Sequence, residues 1–310
     1  MVYRKTPKVH GLNPAVAVLF FAICLVSPRP LQAGVAGADT LRSPNTLQAL
    51  ARIYMSRGEF DKAETLVNNA LQTVASAQGS EEQKCSYMID LAWVYKNQGR
   101  LSKAEQFARR ALQSQQQLYY KDHPYIAYTL RILGSIYQAQ AKFPQADASL
   151  DNALAIIRKC HLPDDPVVAS FEVDVARLLV AEGKFDQAKA IYEQAYPLIS
   201  NCYGPEHLYT AGVLADIAKL YYLQGRFDQA EQTLTSALLI QEQFFGDKHP
   251  TLVSNRLTLA RIYTASGRLS QAEELLIKTA DSIEAKPEIL SVLRSEILAC
   301  IADLYLQTIV

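Results

Sequence analysis

The sequence predicts an all-α fold, an α-solenoid of antiparallel helix pairs in which six repeats are followed by one terminal helix. Three observations carry this expectation. An aromatic or large apolar residue recurs at 54, 95, 137, 179, 221, 263 and 305, spaced by 41 once and by 42 five times. A small residue stands three positions before each marker: Ala51, Ala92, Gly134, Ala176, Ala218, Ala260 and Ala302. Four positions after it come Gly58, Gly99, Ala141, Gly183, Gly225 and Gly267, with an alanine nine after it and another seven further on, Thr279 being the exception. Self-similarity at this period marks a stacked repeat array and takes precedence over any division of the 310 residues by length.

The first 38 residues lie outside the pattern. They contain Arg4, Lys5, Lys8 and Arg29 and no acidic residue, and the run "AVAVLFFAICLV" (15–26) is followed by Pro28 and Pro30. A basic end, a short apolar core and a small-residue exit are the order of a secretory signal. Twelve residues reach about 18 Å as a helix, short of the roughly 30 Å hydrocarbon core, so no stable membrane span is expected. Cleavage after Ala33 or Ala38 would leave an exported, periplasmic or secreted chain; an organellar transit segment and an uncleaved anchor are the alternatives.

From 39 to 310 every local choice favours helix, turn, helix, turn. Repeats are expected at about 44–80, 81–122, 123–164, 165–206, 207–248 and 249–286, with the terminal helix at 287–310. Within each repeat the small residues let two helices approach closely, and rings such as Tyr54, Tyr95, Tyr137, Tyr221 and Tyr263 fill the space beside them. The glycine after the first helix suits a left-handed C-terminal cap. Asp61, Ser102, Asp186, Asp228 and Ser270 are then expected to cap the second helix, with Glu64, Glu105, Glu231 and Glu273 completing a capping box. Pro144 stands at the equivalent place in the third copy, and the linkers "DHP" (122–124), "DDP" (164–166) and "KHP" (248–250) put proline in the first turn of the next helix, where its missing N–H does no harm.

The small residue, the Tyr three later, the Gly and the two alanines seven apart resemble the tetratricopeptide repeat. The 42-residue period and the "KDHP" and "DKHP" linkers are similar to the longer variety found in kinesin light chains and bacterial relatives. The resemblance spans about 42–310. It implies a right-handed superhelix whose first helices line a concave groove that grips peptide or protein segments, and it implies no enzymatic activity. A non-enzymatic interaction scaffold is therefore expected; the alternative is an assembly element of an envelope-associated complex acting through its convex face or terminal helix.

If the first helices face inward, the residue after each small position lines the groove: Arg52, Trp93, Ser135, Arg177, Lys219 and Arg261. The residue after each marker joins them: Met55, Lys96, Gln138, Val180, Tyr222 and Thr264. The candidate peptide-binding residues are thus Arg52, Trp93, Lys96, Arg177, Lys219, Tyr222 and Arg261, a mostly basic ladder suited to a segment carrying carboxylates and an aromatic or aliphatic anchor. The bland alternative is solvated cations whose stems cover apolar surface. Kinesin light chains are similar to one another in a run of paired Asn on the first helices. Here those positions read Gln48 and Ala49, Ile89 and Asp90, Arg131 and Ile132, Val173 and Asp174, Ala215 and Asp216, so kinesin-type cargo motifs are not expected to bind.

Other functions find little footing. The 31 basic and 31 acidic residues balance, which argues against nucleic acid as a partner. His123, His207 and His249 share one linker position in different copies, about 10 Å apart in a stack, too far to share a metal. No catalytic constellation and no phosphate-cradling loop is found, and no cofactor or metal is expected. Cys160 and Cys202 are equivalent sites in neighbouring copies and so badly placed to pair; they, Cys85 and Cys300 are expected to be free and buried. The terminal stretch "ILSVLRSEILACIADLYLQTIV" is apolar over much of its circumference, so its far side is expected to meet another chain, as in a homodimer through 287–310.

Overall fold

The structure, a computed structural model, describes residues 43–309 apart from 78, 247–248 and 284–289. The expected signal segment, 1–38, lies outside the described residues. Those residues form thirteen α-helices and no strand. Six antiparallel pairs follow one another: α1 (Pro44–Ser56) with α2 (Phe60–Ser76), α3 (Glu81–Asn97) with α4 (Leu101–Leu118), α5 (Pro124–Ala139) with α6 (Phe143–Cys160), α7 (Pro166–Ala181) with α8 (Phe185–Tyr203), α9 (Leu208–Leu223) with α10 (Phe227–Phe244), and α11 (Pro250–Ala265) with α12 (Leu269–Ile283). A single helix, α13 (Leu290–Ile309), packs on α11 and α12. The fold is the expected α-solenoid.

Turn chemistry explains why the pairs form. Gly58, Gly99, Gly183, Gly225 and Gly267 all take positive φ after the first helix, and Ala141 is forced into the same region at φ 56°. The first helices open as the linkers promise, with Pro124, Pro166 and Pro250 in the first turn. Their caps include a use of histidine that the linkers alone do not reveal: Nδ1 of His123, His207 and His249 accepts from the backbone N–H of Tyr125, Tyr209 and Thr251, where Asp165 uses its carboxylate on Val167.

The capping expected of the second helices is corrected. α2, α4, α6, α8 and α10 begin one residue before the expected cap position, at Phe or Leu, and the residue before each start, from Glu59 to Arg226, makes no side-chain cap bond. Asp61, Asp186 and Asp228 instead sit in the first turn, where their charge complements the helix dipole. Three glutamates of the supposed capping boxes point to the next repeat: Glu64 accepts from Arg100 at 2.7 Å, Glu105 from Lys142 at 3.0 Å, and Glu231 pairs with Arg268 at 2.7 Å.

The small residues disappear into helix contacts. Ala51, Ala92, Ala176, Ala218 and Ala260 have no exposed surface, nor have Ala63, Ala104, Ala146, Ala188, Ala230 and Ala272 on the second helices. Gly134 is needed as glycine because a Cβ there would stand 2.6 Å from Leu150 Cγ. Among the described cysteines, Cys85 and Cys300 are buried, but Cys160 and Cys202 are exposed; these four are free. Both exposed thiols lie in the last turn of a second helix.

First helices of neighbouring repeats also touch one another, α3 with α5, α5 with α7, α7 with α9 and α9 with α11, whereas second helices make no comparable contacts. The first helices therefore occupy the inner radius. The coil is tight. The turn between α1 and α2 meets the start of α11, five repeats later: His249 Nε2 lies 3.1 Å from the Ser56 carbonyl. That turn and that linker belong to opposite ends of first helices, so one superhelical turn climbs about one helix length, ~24 Å for sixteen residues.

Candidate functional site

The inner wall is built from Arg, Lys and Asp that the 42-residue period sets in register. An arginine on one first helix reaches an aspartate on the next, 38 residues on from Arg52, 39 from Arg177 and 43 from Arg131. Arg52 Nη2 lies 3.2 Å from Asp90 Oδ2, and Arg177 Nε donates to Asp216 Oδ2 at 2.7 Å. Arg177 Nη1 also donates to Asp174 Oδ1 at 2.5 Å, and Asp174 is shared with Arg131. Arg131 lies with its guanidinium 4.7 Å above the Phe171 ring and donates to the Ser170 carbonyl. The result is a chain of alternating charge, Arg131, Asp174, Arg177, Asp216, crossing three repeats.

Electrostatics follow burial and pairing. Burial works against the Asp174 carboxylate, but Arg131 and Arg177 outweigh it and hold its pKa below the usual range. At Asp90 and Asp216, with one arginine each, burial wins and the carboxyls are pushed up. Lys96 sits on the same inner wall, where burial lowers its ammonium and the Asp174 charge partly compensates.

Each candidate residue can now be placed. Arg52 and Arg177 line the wall but are engaged by carboxylates. Lys219 is exposed and makes no ion pair among the described residues, because its ladder partner, 39 residues on, is Thr258 rather than an acid. Arg261 likewise meets Cys300 where Arg177 meets Asp216, and the Cys300 thiol is raised by burial against that guanidinium. Trp93 is half-buried and packs edge-on against Phe60 at 5.7 Å, and Tyr222 is half-buried beside Phe227 at 6.2 Å. The structure thus brings together Arg177 and Lys219 and sets Trp93 and Tyr222 among packed rings.

Arg177 and Lys219 share a pocket of about 440 Å³ between α7, α8 and α9, with Gln138, Val180, Phe185, Tyr192, Asp216 and Leu223 in its lining. Tyr192 is 2% exposed and its hydroxyl has no hydrogen-bond partner. Burial raises its pKa far above the usual phenol value, so it stays a neutral donor. Inward-facing reasoning on the first helices misses Tyr192 because it comes from a second helix. Its signal is a break in pattern: the other second helices carry Val67, Ala108, Leu150, Leu234 and Leu276 at the same phase. Among the described residues no group of three or more His, Cys, Asp or Glu is placed to hold a metal, and no helix is long and apolar enough to cross a membrane.

Comparison with known proteins places this architecture. No curated protein is similar enough to count as a relative. Among solved structures, NprR in complex with its cognate peptide NprX matches at a TM-score of 0.62, with 14% identity over 87% of this chain and 73% of that one. A Rap protein complexed with Competence and Sporulation Factor matches at 0.61, with 15% identity over 89% and 78%. BtubC (BKLC) from P. vanneervenii matches at 0.50, with 20% identity over 79% and 88%. At these identities the likeness is one of fold. A tetratricopeptide-repeat model matches residues 42–117, and the MalT-like TPR region matches residues 91–297. With more than half of its length accounted for by that second model, the chain belongs to the MalT-like tetratricopeptide-repeat family.

Proposed function

We propose that the chain is an exported, non-enzymatic interaction scaffold that holds an extended protein or peptide segment against its inner wall. The pocket of repeats four and five carries this reading. It combines a lysine, Lys219, that makes no ion pair among the described residues, an unpartnered neutral donor and the apolar surface of Val180, Phe185 and Leu223, within the 300–1,000 Å³ range of ligand sites. A segment with a carboxylate beside an aromatic or aliphatic side chain satisfies all three. The NprR and Rap structures, each solved with a peptide or a named factor, support the same mode of use.

The test follows from the pairing. Arg177 holds Asp174 and Asp216, so reversing it would damage the wall as well as any site. Lys219→Glu with Arg261→Glu breaks no ion pair of the ladder. Capture from the exported fraction with wild-type and doubly reversed protein, followed by mass spectrometry, should show loss of specific partners; unchanged capture refutes the assignment. A second reading rests on α13, where Leu298 and Tyr305 are 60% and 54% exposed beside the buried Ile297, Cys300 and Leu304. On that reading the terminal helix joins a second copy or an assembly, and a monomer by light scattering at tens of micromolar would remove the homodimer.

A further inference from the structure

The contact between the first and sixth repeats sets Gly58 and His249 apart from Gly183, Gly225, Gly267 and His207, their counterparts in other repeats. Every first helix but α5's ends in a glycine of positive φ, and at Gly183, Gly225 and Gly267 the space beside the glycine is open. At Gly58 it is filled: a Cβ there would fall inside van der Waals contact with Pro250 Cδ and lie 2.9 Å from Cγ. Gly58 is thus required twice, for its backbone and for the approach of a proline five repeats away.

His249 supplies the polar half. Its Nδ1 accepts from the Thr251 N–H, which puts the remaining proton on Nε2, and that N–H points to the Ser56 carbonyl at 3.1 Å. Phe245 stacks on the imidazole with centroids 3.7 Å apart and the planes within 2°. His207 has the same cap and a similar stack on Tyr203, yet its Nε2 is buried without a partner. One histidine position is therefore used as a cap in two copies and as a cap plus a long-range donor in one.

We propose that this contact is a latch: it closes the superhelix on itself around the inner wall, and it must open to admit a partner segment. The inference rests on the groove as the binding surface, but concerns how that surface is reached. A closed turn leaves only the two ends of the coil as entrances, whereas an opened one exposes the wall along its length. The hydrogen bond and one glycine–proline contact are a small interface, of the kind that opens locally while the repeats stay folded.

The matched caps provide the experiment. His249→Asn keeps an N-cap oxygen and removes the donor to Ser56; His207→Asn makes the same change where no such bond exists. Gly58→Ala against Gly225→Ala repeats the comparison on the glycine side, with equal backbone strain and only one blocked approach. Small-angle scattering should give a larger radius of gyration for His249→Asn and Gly58→Ala than for their controls. Access is read with Lys96→Cys, on the inner wall, in protein whose Cys160 and Cys202 are replaced by serine. Opening should raise its reaction rate with a polymer-bearing maleimide several-fold and leave the rate with N-ethylmaleimide nearly unchanged. Equal dimensions in each matched pair, or an unchanged polymer rate, overturns the latch. Neither outcome depends on partner capture, so the binding assignment and the latch fail separately.

Discussion

Replacing Asp174 by Asn tests whether the inner charge chain supports the stack. The side chain is 12% exposed and is held by Arg131, 16% exposed, and by Arg177. The substitution leaves Arg177 with Asp216 but takes from Arg131 its only carboxylate among the described residues. Removing one partner of a buried pair costs about 3 kcal/mol or more, since the remaining charge stays desolvated. Glu81→Gln, at a pair with Lys84 whose carboxylate is 53% exposed, should cost less than about 0.5 kcal/mol. Because a repeat array need not unfold as one unit, the assay is native-state amide exchange in α5 and α7, where the loss should appear as about 100-fold faster exchange. The sign of the pH dependence adds a check. Asp174 has a lowered folded pKa, so its contribution is complete above the usual carboxylate range and vanishes as pH falls through the folded value. Wild type and Asp174→Asn should converge in acid. A variant that exchanges like wild type at neutral pH would refute the structural role. The double change Arg131→Met with Asp174→Leu should recover most of the loss, which separates a cost of stranding a charge from a benefit of the pair.

The remaining predictions concern the turns. Ala141→Gly should raise the thermal midpoint, because Ala141 holds φ 56° where its five counterparts are glycine, a relief of about 1 kcal/mol; calorimetry decides it. Gly134→Ala should cost about 1–3 kcal/mol by forcing Leu150 aside, and Leu150→Val should restore part of that, read from the same melts. His249 predicts acid lability at the first-to-sixth contact: burial lowers its pKa from 6.5 to about 4, with the Ser56 bond opposing. The folded state therefore takes up its proton later than the unfolded one. Stability falls as pH drops from 6.5 towards 4, by up to about 3 kcal/mol, and recovers as pH rises. His249→Asn should flatten that slope, and an unchanged slope would assign it elsewhere.

The helix pairs were legible in the sequence for a physical reason: a small residue, a ring and a turn glycine at fixed phase leave one way to bury the alanines. Helix starts were less legible. An Asp three residues after a Gly fits an N-cap and fits the first turn equally well, and the structure chose the first turn because Phe60, Phe185 and Phe227 needed to be inside the helix. The capping-box glutamates show the same limit from another side, since their partners Arg100, Lys142 and Arg268 stand one repeat away and no local pattern names them.

The candidate site was half legible, and the missing half changes its meaning. Counting inward positions finds Arg52, Arg177, Lys219 and Arg261, yet says nothing of what each faces. At the inward cations pairing needs the offset between adjacent first helices, 38 residues for Arg52 and 39 for Arg177, which is the period less about one helical turn, whereas Arg131 reaches Asp174 43 residues on. With that offset, the positions 90, 216, 258 and 300 read Asp, Asp, Thr and Cys, so acids answer the cations at Arg52 and Arg177 and stop before Lys219 and Arg261. A ladder that reads as uniformly basic divides into two cations paired with carboxylates of the wall and two that make no ion pair among the described residues. Charge reversal at the first pair should therefore break ion pairs of the wall, and at Lys219 should weaken binding without breaking one.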